Sequence, residues 1–260
     1  RVFHLETTTS TMDVAWALVV EGAPDGTVVI ADHQSAGRGR YDRSWVSKRE
    51  EDILCSVLLR PRVALAGELL MLAALAVANV AEDLGVDIGI KWPNDVQVAG
   101  KKLAGVIAES KTGPELSVGD GALGSDSTDA CVDRITAVIG IGLNVNFDSE
   151  STTEVAPNST CLASEVDRRL DRREVFEMLM RSLDNHYVAI TAGGTVLPAW
   201  RQRLTTLGKK VTVVGGKTGG STELSGIAHD VDAEGRLIVR DASGRDWPVS
   251  AGEVTVKDIR

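Results

Sequence analysis

The chain has 260 residues, 43% of them hydrophobic and 25% charged, and its formal net charge is -9 at pH 7. These values are typical of a soluble globular protein with one main core and room for a small second domain. The acidic balance argues against general affinity for nucleic acid, because binding to a phosphate backbone requires clustered Lys and Arg side chains.

Cysteine usage and hydropathy predict a cytoplasmic protein. The chain has three cysteines, an odd number, without CxxC or Cys/His metal spacing, which indicates a reducing compartment and no structural zinc. The longest apolar block, residues 69–78, is shorter than the roughly 20 residues that cross a bilayer. No membrane contact is therefore expected.

The first part of the chain alternates predicted strands and helices, as in an α+β fold with a mixed sheet and flanking helices. Ser10 and Asp13 have the spacing of a capping box and predict a helix start. Residues 69–84 predict a second helix, which is apolar on most sides and therefore buried against a sheet. β-Branched and apolar runs predict strands at residues 2–5, 27–31, 53–59, 88–92, 95–98, 102–109 and 135–144.

Two polar segments interrupt this pattern. Residues 112–134 are rich in glycine and aspartate and predict a mobile acidic insertion between two core strands. A calcium loop is the alternative, but the carboxylates lack the alternating ligand spacing of an EF-hand. Residues 149–160 predict a polar surface connection.

The rest of the chain predicts one more helix and a small second domain. Six apolar residues repeat at helical spacing and predict a stripe that faces the core: Val175, Phe176, Leu179, Leu183, Tyr187 and Ile190. Short strands separated by turn signals then predict a small barrel, at residues 210–214, 224–230, 237–240 and 247–249. We therefore predict two domains, residues 1–206 and residues 207–260.

A glycine-containing loop holds three arginines followed by a tryptophan: Arg38, Arg40, Arg43 and Trp45. Arginine presents a permanently charged fork that matches carboxylate or phosphate oxygens, and Gly37 and Gly39 let the backbone approach a ligand. Within an acidic protein, such a loop predicts a site for a specific small anion. A solvated basic loop or a nucleic-acid contact would have the same local pattern.

Three further segments follow the loop, and a Ser10-Thr11 pair and the segment ADHQSA precede it. The three are KWPNDV at residues 91–96, KKLAGV at residues 101–106 and GIGLNVN at residues 140–146. In this order the chain resembles the biotin protein ligases, specifically the monofunctional type without an N-terminal DNA-binding domain. A first strand at residues 2–5 leaves no room for such a domain, although Arg1 is not a methionine and leaves open whether residues precede it.

The resemblance implies a catalytic domain like that of class II aminoacyl-tRNA synthetases, followed by an SH3-like barrel. It implies an enzyme that uses ATP and Mg²⁺ to activate biotin as biotinyl-5'-AMP and then transfers biotin to a lysine of a biotin carboxyl carrier protein. Because two anions must meet, this chemistry needs fixed cations and no enzyme nucleophile. The carrier is the implied partner, a homodimer is left open, and no nucleic acid is expected.

The resemblance also gives roles to residues at matching positions. The implied catalytic residues are Arg38, Arg40 and Lys102. The implied biotin-binding residues are Ser10, Thr11, Gln34, Gly37, Arg38, Gly39, Arg40, Lys102 and Gly105. The implied nucleotide-binding residues are Arg38, Arg40, Arg43, Trp45, Asn94, Lys102 and Asn144, and the implied Mg²⁺ ligand is Asp95.

Some of these residues also have structural explanations. Trp45 could anchor the loop in the core. Asn94 and Asp95 could stabilise an Asx-turn. Asn144 could form a strand-end hydrogen bond.

Two residues depart from the family's pattern. Met12 stands where asparagine is usual, which removes one hydrogen bond that could reach the ureido ring of biotin. Asp42 stands where glycine or a small residue is common. Its carboxylate could pair with Arg40 or Arg43 and hold the loop open, so Asp42→Gly would be expected to tighten retention of biotinyl-AMP.

Three other functions fit parts of the sequence. A lipoate or octanoate protein ligase would share the fold and the adenylation chemistry, but those enzymes use a longer glycine-rich arginine segment that this chain lacks. A non-catalytic biotin-binding protein would not need Lys102 together with all three loop arginines. A nucleic-acid-binding protein is disfavoured by the overall acidity.

Overall fold

The computed structural model describes residues 1–41, 43–112, 133–146, 158–214, 223–250 and 252–257. Asp42, Cys131, residues 113–132 of the predicted insertion and residues 149–157 of the predicted connection lie outside the described residues.

The described helices are α1 (Thr11–Val20), α2 (Glu68–Asp83), α3 (Leu162–Glu165), α4 (Arg172–Thr191) and α5 (Leu197–Gln202). The described strands are β1 (Val2–Leu5), β2 (Thr27–Ala31), β3 (Gly37–Arg38), β4 (Ser44–Trp45), β5 (Ile53–Leu59), β6 (Gly89–Lys91), β7 (Asp95–Val98), β8 (Lys101–Lys111), β9 (Thr136–Leu143), β10 (Lys210–Val214), β11 (Glu223–Val231), β12 (Leu237–Arg240), β13 (Asp246–Val249) and β14 (Glu253–Lys257). A helix with the length and apolarity needed to cross a membrane is absent from the described part of the chain.

A seven-stranded mixed sheet forms the main body, in the order β1-β2-β5-β9-β8-β7-β6. β1 and β2 are parallel, and all the other neighbours are antiparallel. Every residue of β5 is buried, because α1 contacts one face of this central strand and the side chains of the other face belong to the main core cluster. The predicted mixed sheet is confirmed, and the predicted bounds of its strands differ from the observed ones by two residues at most.

The two faces of the sheet pack against different helices. α2, which is rich in alanine and leucine, contacts the main sheet on one side and α4 on the other. On the opposite face, Met12, Ala15 and Val19 of α1 pack against Val29 and Leu58. Successive residues of a strand point to opposite faces, so neighbouring residues of β2 and β5 enter different clusters. The ends of the central strands are therefore fixed from both sides.

The C-terminal part forms a five-stranded antiparallel sheet in the order β13-β12-β11-β10-β14. β13 and β14 are its two edges, so the sheet is confirmed and the closed barrel stays a prediction. Val211, Val213 and Leu237 belong to the same core cluster as α2 and the main sheet. The Trp92 indole also donates a hydrogen bond to the Gly235 carbonyl at 2.9 Å. The second sheet is therefore docked beside the KWPNDV segment.

The arginine loop forms a short hairpin that the sequence does not predict. In this arginine hairpin, which comprises β3, β4 and the described residues between them, Gly37 pairs with Trp45 and Arg38 with Ser44. The Gly39 amide donates to the Arg43 carbonyl at 2.7 Å. Strands of two residues show no alternation of apolar side chains, so periodicity cannot reveal them. β14 and the short helix α5 are likewise absent from the prediction.

Candidate functional site

A cavity of about 160 Å³ lies between the arginine hairpin, the start of α1 and the main sheet. Gly252 and Val254 of the C-terminal sheet region also line it. All but two of the predicted site residues line this cavity: Ser10, Thr11, Gln34, Arg38, Gly39, Arg40, Arg43, Trp45, Asn94, Asp95, Lys102 and Gly105.

A polar network forms one end of the cavity. The Gln34 Oε1 atom accepts hydrogen bonds from the Thr11 amide at 2.7 Å and from the Thr11 hydroxyl at 3.1 Å. The Thr11 hydroxyl also lies 2.8 Å from the Ser56 hydroxyl. Ser10 caps α1, as predicted, and its hydroxyl accepts from the Met12 amide at 3.3 Å. With Oε1 engaged, Gln34 can offer a ligand its amide N–H groups, and Ser10 its hydroxyl proton.

Arg38 lines the mouth of the cavity and is held by two carboxylates. Its Nη2 atom lies 3.2 Å from Asp13 Oδ1, and its Nη1 atom lies 3.5 Å from Glu109 Oε1. Asp13, which the sequence places in a capping box, therefore pairs with the arginine hairpin instead. The contact joins β3 to α1 and β8.

Arg40 contacts the other side of the cavity. Its Nη1 atom donates to Asn94 Oδ1 at 3.0 Å, and its Nη2 atom donates to the Tyr41 hydroxyl at 3.0 Å. The Asn94 amide in turn donates to the Val106 carbonyl at 2.6 Å. Asn94 is buried, so it connects the arginine hairpin to β8 at a fixed distance.

Lys102 enters the cavity from β8. Its Nζ atom lies 2.7 Å from Asp95 Oδ1 and 5.4 Å from the centroid of the Trp45 ring. The ammonium group is thus held between a carboxylate and an aromatic face, both of which attract a cation. A ligand anion that binds Lys102 must share it with Asp95 or displace that carboxylate.

Trp45 lies flat on a patch of sheet without side chains. Gly105 and Gly142 are cross-strand partners in β8 and β9. A Cβ atom added to Gly105 would lie 3.0 Å from Trp45 Cζ3, and one added to Gly142 would lie 2.7 Å from Trp45 Cζ2. The indole nitrogen of Trp45 is buried and has no hydrogen-bond partner among the described residues. Trp45 therefore both packs on the sheet and presents an unused donor, so the anchoring and ligand-binding explanations are compatible.

Replacing Gly142 with alanine is expected to displace the Trp45 ring, because the added methyl group would overlap it. Acyl-adenylate formation should fall roughly tenfold to hundredfold, since small misplacements at an active site cost about this much. The measurement is adenylate formation with the fold checked by circular dichroism. Gly67→Ala is the matched control, because its new methyl group would lie at an ordinary 3.5 Å from the nearest atom. Equal losses in both variants would contradict the prediction.

Two predicted site residues do not line the cavity. At Gly37, an added Cβ atom would lie 2.5 Å from the Trp45 carbonyl oxygen, so glycine permits the close pairing of β3 with β4. Asn144 is buried and donates to the carbonyls of Thr160 at 2.9 Å and Lys102 at 3.4 Å. Its side chain braces the start of β8, as the strand-end explanation requires, and a contact with nucleotide stays a prediction.

Several residues that line the cavity have no role predicted from the sequence, among them Tyr41, Lys91, Gly140 and Gly142. Met12 packs on Gly140, where an added Cβ atom would lie 2.8 Å from the Met12 sulfur. Gly140 and Gly142 are two residues apart in β9 and therefore share one face. This Gly-x-Gly spacing within an apolar strand is the signal that could have revealed them, because a bare strand face admits another chain segment or a ligand.

The segment that leads into the arginine hairpin is fixed by Asp32, the residue after β2. Asp32 accepts hydrogen bonds from His4 at 2.9 Å and from Arg172 at 3.1 Å. Burial by itself would raise the pKa of Asp32, but the hydrogen bonds from His4 and Arg172 outweigh it, and the pKa is lowered. An ionised Asp32 therefore connects β1, the hairpin's lead-in and α4.

Two family models match the chain. Residues 4–119 match the Biotin/lipoate A/B protein ligase family, and residues 206–257 match the Biotin protein ligase C terminal domain. These segments contain the residues that line the cavity, except Gly140, Ile141 and Gly142 of β9.

Relatives of known name are similar over most of the chain. The chain is 35% identical over 238 residues to the biotin acetyl-CoA-carboxylase ligase of Mycobacterium tuberculosis, covering 88% of this chain and 79% of that protein. It is 33% identical over 191 residues to the bifunctional ligase/repressor BirA of Bacillus subtilis, covering 72% of this chain and 53% of that protein. The chain thus spans about half the length of the Bacillus protein.

A solved structure shares the fold. The biotin protein ligase from Aquifex aeolicus in complex with biotin and ATP matches with a TM-score of 0.73, covering 99% of this chain and 98% of that chain. The sequence identity is 22%, so this likeness concerns the fold.

Proposed function

The chain belongs to the biotin protein ligase family, and we propose that it is an ATP-dependent ligase that activates biotin as biotinyl-5'-AMP. We propose further that it transfers biotin to a lysine of a biotin carboxyl carrier protein. The observation that carries the proposal is one cavity in which Arg38, Arg40 and Lys102 surround a space next to the polar end at Thr11 and Gln34. Fixed cations beside neutral donors and acceptors suit a ligand with an anionic tail and a polar head.

The first step joins two anions. An oxygen of the biotin carboxylate attacks the α-phosphorus of ATP, the bond to the β-phosphate oxygen breaks, and pyrophosphate leaves. Arg38, Arg40 and Lys102 would lower the repulsion between carboxylate and phosphate and stabilise the charge of the transition state. Asp95 and Trp45 hold the Lys102 ammonium at the cavity before ligand binds, and the ligand anion would then share this ammonium with Asp95 or displace that carboxylate.

The second step needs an acceptor amine and no nucleophile from this chain. The neutral ε-amine of the carrier lysine attacks the acyl carbon, AMP leaves, and one proton is released as the amide forms. The arginine hairpin would limit the access of water to the adenylate in the meantime, because water would hydrolyse it.

Mg²⁺ is expected to enter with ATP. It would supply charge neutralisation on the phosphates. The described residues contain no group of three or more His, Cys, Asp or Glu side chains that could hold a metal by themselves. Asp95 is the acidic residue among the described residues that line the cavity, and one carboxylate suffices when substrate phosphates supply the other ligands.

The remaining assignments follow from the same proposal. We propose a domain boundary between residues 206 and 207, a cytoplasmic location and a homodimer as the state to test. Ser10, Thr11 and Gln34 would bind the ureido ring of biotin, and Arg43, Trp45 and Asn94 would lie near the nucleotide. Nucleic acid is not expected as a partner.

The test is incubation with ATP, Mg²⁺ and either biotin or lipoate, with mass detection of the acyl-adenylate and of a biotin mass shift on an added carboxyl carrier domain. Biotinyl-AMP and a labelled carrier are the expected products. Lipoyl-AMP alone would replace the proposal with a lipoate ligase. Tight binding of biotin without any adenylate would replace it with a non-catalytic biotin-binding protein.

A further inference from the structure

Arg38 occupies the stem of the arginine hairpin, yet its side chain contacts elements outside the hairpin. Nη2 and Nη1 lie 3.2 Å and 3.5 Å from the carboxylates of Asp13 and Glu109. Neither acidic residue lines the cavity, and the only role predicted for either of them is that of Asp13 in a capping box. The two carboxylates, here called the acidic latch, therefore act on the cavity only through Arg38.

The acidic latch is built on rigid elements. Asp13 lies in the first turn of α1, and Glu109 lies in β8 of the main sheet. The Trp16 indole donates to Glu109 Oε2 at 2.8 Å, and the Lys111 ammonium lies 4.2 Å from the Trp16 ring centroid. Because Trp16 fixes one carboxylate oxygen of Glu109, the other oxygen is presented to Arg38 in one orientation.

The arginine hairpin has a second anchor at Arg40. There Arg40 donates to Asn94, which is itself bonded to the Val106 carbonyl. The hairpin thus has two anchors, at Arg38 and at Arg40, and its own Trp45 packs on the sheet. Asn94 is buried and neutral, whereas the anchor at Arg38 consists of charged and partly exposed groups.

We propose that Asp13 and Glu109 are positioning residues that hold the arginine hairpin over the cavity through Arg38 and thereby retain the activated acid. The inference rests on the proposed function for the identity of the retained molecule, biotinyl-AMP. The chemistry does not require the latch to touch substrate. It requires that the hairpin stay in place between adenylation and transfer.

The strength of the latch suits that task. Arg38, Asp13 and Glu109 have side chains that are 38%, 53% and 41% exposed, and ion pairs of this kind are weak. Two such pairs on one guanidinium hold the hairpin for most of the time but still permit it to open for substrates and product. Removing both carboxylates is therefore expected to make opening of the hairpin roughly threefold to tenfold more frequent, without unfolding the protein.

The experiment compares wild type with the double variant Asp13→Asn/Glu109→Gln. The first readout is hydrogen exchange of the peptide that contains the arginine hairpin, in the ligand-free protein. The second is the rate at which preformed biotinyl-AMP escapes into solution, measured from 50 to 500 mM salt, a range chosen to span roughly weak to strong screening. Glu177→Gln is the matched control, because it removes the carboxylate of an exposed ion pair on α4 far from the cavity.

In the double variant, hairpin exchange and adenylate escape should both be roughly threefold to tenfold faster. Salt should accelerate escape from both proteins, because it screens the cations of the cavity from the adenylate, but the increase should be steeper for wild type, a difference that a general loss of packing would not produce. The variant Asp13→Glu/Glu109→Gln keeps one of the two negative charges. Its rates of hairpin exchange and adenylate escape should lie between those of wild type and of the double variant.

Unchanged hairpin exchange would overturn the latch, whatever the enzyme does. Faster exchange with unchanged escape would overturn the role in retention. A wild type that forms no adenylate would overturn the proposed function and, with it, the retention role, while the exchange result would still decide whether the latch holds the hairpin.

Discussion

Replacing Lys102 with glutamine is expected to lower the rate of biotinyl-AMP formation by roughly 100-fold or more, in the range found when one charge-stabilising donor is removed from an active site. Two effects act in the same direction. The transition state loses a cation, and Asp95 loses the ammonium that now lies 2.7 Å from its carboxylate. An unpaired carboxylate in the cavity would repel both the phosphates and the carboxylate of biotin.

The matched control is Lys101→Gln. Lys101 is the preceding residue of β8, is exposed and does not line the cavity. Single-turnover formation of biotinyl-AMP, followed by mass spectrometry, should be close to wild type in that variant. A similar rate in both variants would remove Lys102 from the catalytic set. Partial recovery in Lys102→Gln/Asp95→Asn would show how much of the loss comes from the unpaired carboxylate.

The second large effect concerns stability and pH, and it comes from Asp52 at the start of β5. Asp52 is almost fully buried, and one carboxylate oxygen accepts from the Val145 amide at 3.0 Å. The other carboxylate oxygen has no hydrogen-bond partner in the part of the chain that the structure describes. The pKa of Asp52 is raised to about 7, and burial is the main cause. The nearby Glu51 also acts to raise this pKa, whereas the Val145 amide and Arg172 act to lower it.

A raised pKa means that the folded state binds the proton more tightly than the unfolded state does. The contribution to stability is complete below the unfolded value of 3.8 and is lost as the pH rises towards about 7. Each pKa unit corresponds to roughly 1.4 kcal/mol, so the loss is on the order of 4 kcal/mol. Asp52→Asn mimics the protonated carboxyl and removes this pH dependence.

Urea unfolding at pH 4, 6 and 8 would measure the effect. We expect the free energy of unfolding of Asp52→Asn to rise relative to wild type as the pH increases, by up to about 4 kcal/mol. Asp184→Asn, which changes an exposed aspartate of α4, is the control and should run parallel to wild type. If the free energy of unfolding of Asp52→Asn changed with pH in parallel with that of wild type, the Asp52 carboxyl would not titrate in the expected range.

The local pattern of residue types in the sequence was sufficient to predict most of the strands and helices. The β-branched runs predicted β2 and β5 at their observed bounds, and the apolar character of residues 69–84 predicted the buried α2. These features depend on neighbours in the chain, which the sequence displays directly. The arginines and glycines of residues 37–45 likewise indicated an anion site, because the charge of an arginine does not depend on which distant residues pack against it.

Only the tertiary structure decided how those residues meet. The sequence does not show that Arg38 pairs with Asp13 and Glu109 while Arg40 contacts Asn94, or that Trp45 lies on Gly105 and Gly142. Such contacts depend on strand register, and a slip of one residue would present the opposite face of β8 or β9. The sequence by itself therefore determined the kind of chemistry and the elements that carry it, while the register and packing of distant elements decided which side chains hold the hairpin and which face the cavity.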